Sequence, residues 1–96
     1  MGLVCTLGAF TLGERERHKA LTSQLMAAVV ERRELDNGFA FRVQSMSEGD
    51  LAEWAALERR CCPFFQIDIQ GQDTAPIWLH LTGPEGVKEF ISAEFS

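Results

Sequence analysis

Three short stretches of this chain alternate apolar and polar residues with a period of two, and that alternation limits the fold more than any other feature. Phe39, Phe41 and Val43 alternate with Ala40, Arg42 and Gln44. Phe65, Ile67 and Ile69 alternate with Phe64, Gln66 and Asp68, and Ile77, Leu79 and Leu81 with Trp78, His80 and Thr82. Successive side chains of a strand point to opposite faces, so each stretch predicts a strand with one apolar face. Leu3, Cys5 and Leu7 alternate with Val4 and Thr6 in the same manner, which predicts a first strand over about 2–11. The opposite sheet face would carry Arg42, Gln44, Phe64, Gln66, Asp68, Trp78 and His80. Such a face suits water, a homodimer interface or a binding surface.

The segments between these strands carry helix signals. Thr11 followed by Glu14 fits a capping box and opens a helix over about 13–35. Leu21, Leu25, Ala28 and Val29 fall on one face of it, at i, i+4, i+7 and i+8. Glu14-Arg15-Glu16-Arg17 and Glu31-Arg32-Arg33-Glu34 read as its solvated surface, and Asp36-Asn37-Gly38 as its stop. Ser47 with Asp50 opens a second helix that Leu51 to Cys61 continues. Pro63 ends it, because the residue before a proline is pushed out of the helical region. A turn at about Gly71 to Thr74 separates the last two strands. Gly83-Pro84-Glu85 starts a final helix, with Val87, Phe90, Ile91 and Phe95 as its apolar stripe. The resulting order is β-α-β-α-β-β-α in a single domain over 1–96: an α+β two-layer sandwich, a four-stranded sheet with helices on one face. Strand order is not set by these signals.

Charge and composition narrow the function. A net charge of −5 disfavours nucleic acid and membrane surfaces, both of which call for a basic face. No apolar run is long enough to span a bilayer, and no leader pattern is present. Met1-Gly2-Leu3-Val4-Cys5-Thr6 formally fits the N-myristoylation pattern, but the same residues alternate as a strand. Three cysteines, two of them adjacent, make a poor disulfide framework, so a reducing cytoplasm is expected.

The chemistry concentrates at Glu58-Arg59-Arg60-Cys61-Cys62-Pro63. On a helical wheel Leu51, Trp54, Ala55, Leu57, Cys61 and Cys62 share one side, with Glu58 near its middle. A carboxylate on a core-facing stripe needs a partner. It is either paired with an arginine or histidine from elsewhere, or serves as a metal ligand or an acid/base group beside a thiol. Adjacent Cα atoms lie about 3.8 Å apart, below the usual disulfide span of about 4.4–6.8 Å, so a Cys61–Cys62 bond is strained and a dithiol is the expected resting form. Pro63 lets Cys62 swing its sulfur toward that of Cys61. Two soft sulfurs in reach suit Hg(II), As(III), Cu(I) or Zn(II), with Cys5 as a third donor. The competing reading makes all three cysteines small core hydrophobes. A thiol enzyme fits less well, because a helix C-terminus opposes thiolate formation. His18 reads as a boundary residue in line with Leu21 and Leu25, and His80 belongs to the polar sheet face.

Glu58-Arg59-x-Cys61-Cys62-Pro63-Phe64-Phe65 and Trp78-Leu79-x-Leu81-Thr82-Gly83-Pro84-Glu85-Gly86 resemble an uncharacterised family of small bacterial proteins with an E-R-x-C-C-P-F segment and a closing L-T-G-P-x-G segment. The resemblance implies no activity. The residues point to a cytoplasmic binder of a soft metal or metalloid through Cys61, Cys62, Glu58 and Cys5, or alternatively to a homodimerising module with its cysteines in the core.

Overall fold

The computed structural model describes residues 10–71 and 76–94. Their elements are α1 (Leu12–Ala28), β1 (Val29–Leu35), β2 (Gly38–Val43), α2 (Glu48–Cys61), β3 (Gln66–Gln70), β4 (Ile77–Thr82) and α3 (Val87–Glu94). The strands form one antiparallel sheet in the order β1-β2-β4-β3. The α+β class and the four-stranded sheet are as the alternation predicts, but the order is α-β-β-α-β-β-α. Of the strand expected over 2–11, residues 2–9, with Cys5 and the acylation pattern, lie outside the described residues, while Phe10 and Thr11 are not strand and lead into α1.

Register explains the two faces. Phe39 pairs with Leu81, Phe41 with Leu79 and Val43 with Ile77, while Ile67 and Ile69 oppose Leu81 and Leu79. These residues face inward together, against Leu21 and Leu25 of α1, Leu51 and Trp54 of α2, and Val87 and Ile91 of α3. Ala40, Arg42, Gln66, Asp68, Trp78 and His80 alternate with them and share the outer face. Phe64 does not belong there. It packs on Phe65 and Phe90 at ring-centroid distances of 4.7 and 5.0 Å.

The long helix expected over 13–35 is split. Its start is right: Thr11 Oγ1 accepts from the Glu14 N–H, and the Glu14 carboxylate accepts from the Thr11 N–H. The helix then ends at Ala28, and Val29–Leu35 runs as a strand against β2. Two β-branched valines at its entry favour extended backbone. The charges that read as a helix surface are those of an edge strand. Arg32 and Glu34 oppose Phe41 and Phe39 on the inner face, where inward charges blunt an open sheet edge. The Arg32 guanidinium lies 5.0 Å over the Phe39 ring, and Lys88 bonds Glu34.

Asp36 and Asn37 are therefore a two-residue hairpin turn rather than a helix stop, because Leu35 pairs with Gly38. Gly38 is demanded by its neighbour strand: a Cβ there would sit 1.9 Å from the Leu81 carbonyl oxygen. The last helix also starts later than Pro84. Residues 84–86 form a turn closed by Val87 N–H donating to the Pro84 carbonyl, and α3 begins at Val87. Among the described residues, no helix is long and apolar enough to cross a membrane.

Candidate functional site

The second helix delivers the site. Ser47 caps it by accepting from the Asp50 N–H at 3.0 Å, which fixes its phase. That phase buries Leu51, Trp54, Ala55, Leu57, Glu58 and Cys61 on one stripe. Cys62 leaves the helical region at φ −124°, ψ 75°, as Pro63 requires. Its N–H donates to the Glu58 carbonyl at 2.6 Å, and its own carbonyl accepts from the Phe65 N–H at 3.0 Å. The second bond closes a turn with Pro63 in its preferred place and sends the chain into β3. With Cys62 off the helical path, its Sγ lies 3.6 Å from that of Cys61.

Cys61 is a free cysteine, so no bond joins it to Cys62 and the strain of a vicinal bridge is avoided. Both side chains sit in the core, at 1% exposure for Cys61 and 0% for Cys62.

Glu58 is fully buried, and His18 is its partner: Nε2 and Oε2 are 2.6 Å apart. The other carboxylate oxygen, Oε1, is buried and has no hydrogen-bond partner among the described residues. His18 is thus more than a boundary residue. Its ring packs on Phe10 at 5.3 Å, and its carbonyl accepts from Thr22 Oγ1 at 2.8 Å. Thr22 Oγ1 accepts in turn from the Trp54 indole N–H at 3.1 Å. A polar chain therefore crosses the α1–α2 contact inside an apolar core. The signal that finds His18 is in the sequence, since it shares a helical stripe with Leu21 and Leu25 and Glu58 needs a partner.

The arginines beside the cysteines are committed elsewhere. Arg59 donates to the Ile67 carbonyl at 2.9 Å and ties the end of α2 to β3. Arg60 donates to the Glu14 carboxylate at 2.6 Å and lies 5.4 Å over the Phe10 ring. The Arg60 hydrogen bond, helped by the Thr11 N–H, holds the Glu14 carboxyl down at about 2. Neither guanidinium is left over to stabilise a thiolate.

Of the expected site residues, the structure brings Glu58, Cys61 and Cys62 together within about one helical turn, while Cys5 lies outside the described residues. Among the described residues no three His, Cys, Asp or Glu side chains form a ready-made metal-holding group. His80 sits on the outer sheet face, paired with Ala40 and Asp68. No family model, no curated protein and no solved structure matches this chain.

Proposed function

We propose that this protein binds a soft metal or metalloid ion through the reduced sulfurs of Cys61 and Cys62, with Glu58 beside them. The observation that carries the reading is the 3.6 Å separation of the two sulfurs. Two thiolates on one tetrahedral ion, with metal–sulfur bonds of about 2.3 Å, stand about 3.8 Å apart. The buried Glu58 Oε1 has no hydrogen-bond partner among the described residues, and His18 steadies its carboxylate through the other oxygen. Hydrogen-bonded carboxylates of this kind orient and tune metal sites. In this reading Cys5 adds a third sulfur.

Native mass spectrometry of the reduced protein with Zn(II), arsenite, Hg(II) and Cu(I) tests it. The wild type takes up metal, and a Cys61→Ser/Cys62→Ser variant does not. Equal loads in the two proteins would sink the idea.

The complete burial of both cysteines favours a second reading, an interaction module in which they fill core volume and the outer sheet face meets a second copy. There Trp78 lies under the Arg33 guanidinium at 4.6 Å, with Arg42 and His80 alongside. This reading expects no metal uptake, slow native labelling of Cys61, and a dimer that Trp78→Ala dissociates in sedimentation. A monomeric wild type at high concentration counts against it.

A further inference from the structure

We infer that the open edge of β1 pairs with itself: two copies of this chain meet edge to edge about a two-fold axis. Their four-stranded sheets then continue as one antiparallel sheet across the contact. This pairing uses a different surface from the outer-face dimer and depends on neither reading of the cysteines.

β1 stands at one end of the strand order, and among the described residues no strand pairs with its far side. Residues that flank a two-residue hairpin turn exchange backbone hydrogen bonds, and bonded pairs alternate along an antiparallel ladder. Leu35 with Gly38, Arg33 with Ala40 and Glu31 with Arg42 are therefore the bonded pairs of this hairpin. The N–H and C=O groups of Arg32 and Glu34 point the other way, out of the sheet edge.

The side chains of the same two residues choose the partner. Arg32 and Glu34 stand two apart on the inner face, opposite Phe41 and Phe39. Both are exposed: the Arg32 guanidinium rests 5.0 Å over the Phe39 ring, and Glu34 keeps 68% exposure although Lys88 bonds it. An antiparallel copy centred on Arg33 sets Arg32 of each chain against Glu34 of the other. Each pair exchanges two backbone hydrogen bonds and brings opposite charges face to face. Inward charges turn away an apolar strand, but they accept one that carries the same two charges in reverse order. A two-fold copy supplies that order by symmetry. Centring the contact on Arg32 or on Glu34 would set like charges against each other, and an Arg32 centre would also draw in the irregularity between Val29 and Glu31. At the Arg33 centre that residue meets its own copy, but its guanidinium is drawn back over Trp78 at 4.6 Å and onto Glu31 at 2.9 Å.

Sedimentation equilibrium over a range of concentrations tests the pairing, with amide hydrogen exchange as a second readout. The wild type should dimerise, and raising its concentration should slow exchange at the Arg32 and Glu34 amides. Arg32→Glu and Glu34→Arg each place like charges across the axis and should weaken the dimer at least about tenfold. Mixed in equal amounts, the two variants should form a heterodimer, since each supplies the charge the other lacks. Trp78→Ala should leave the edge dimer intact. A monomeric wild type overturns the pairing, as does a mixture no tighter than either variant alone. A dimer that Trp78→Ala dissociates and neither reversal weakens belongs to the outer face and overturns it too. If Glu34→Arg does not fold beside Lys88, Arg32→Glu and the exchange at these two amides decide.

Discussion

Two regions of this molecule pair acidic with basic side chains, and their surroundings make them differ. Between α1 and α2, Glu58 meets His18 with no solvent on the carboxylate. On the outer sheet face, Glu31 bridges Arg33 at 2.9 Å and Arg42 at 3.2 Å, with all three side chains about a third or more exposed. Water and salt screen the outer cluster, so its net contribution is small. The inner pair has no such relief. Removing one member leaves a buried polar group with no compensation. Among the described residues, Glu58 Oε1 is the one buried side-chain oxygen without a hydrogen-bond partner.

Four tests probe this contrast, from the largest effect down. Trp54→Ala removes a fully buried indole and strands Thr22, and should cost about 3–5 kcal/mol in urea unfolding. A loss under about 1 kcal/mol would mean that α1 is not packed on α2 as described. His18→Ala should cost about 3 kcal/mol by removing the partner of the buried Glu58 Oε2, whereas the double change with Glu58→Leu should recover much of that loss. Failure of the double variant to recover would place the burden on packing instead of the unpaired carboxylate.

Acid should expose the third effect. The folded Glu14 carboxyl is held at about 2, below its usual 4.5, chiefly by the Arg60 hydrogen bond. Its contribution is complete above pH 4.5 and is lost as pH falls toward 2. Thermal midpoints of the wild type should therefore drop across that window. Glu14→Gln, which keeps a capping-box side chain, should drop less. Parallel curves for the two proteins would refute the link. Smallest of all, Glu31→Gln should leave the unfolding midpoint unchanged within error, although Arg33 holds that carboxyl below its usual range as well.

Much of this arrangement is readable from residues alone, and the misreadings share a cause. Period-two alternation locates β3 and β4 because their core-facing residues are more buried than the ones between, and it locates the central β2 through its large apolar side chains, although Ala40 between them is buried too. Both N-caps follow from a hydroxyl and a carboxylate three residues apart. The wheel places Glu58 among apolar neighbours, and the proline places the break at Cys62. β1 escapes because an edge strand with charges on both faces has no alternation to detect, and its Glu-Arg-Arg-Glu run imitates a helix surface. Asn37-Gly38 is a strong hairpin signal, but it also suits a helix end, and the false helix before it settles the choice wrongly. His18 escapes because a pairing 40 residues apart in sequence depends on how two helices cross.

The indole of Trp54 turns the helix crossing into an optical instrument. It is fully enclosed, and its N–H is anchored through Thr22 to the same turn of α1 that presents His18 to Glu58. A change at that carboxylate is felt by His18, whose carbonyl holds Thr22 and through it the indole. Its fluorescence should register the event with no label attached.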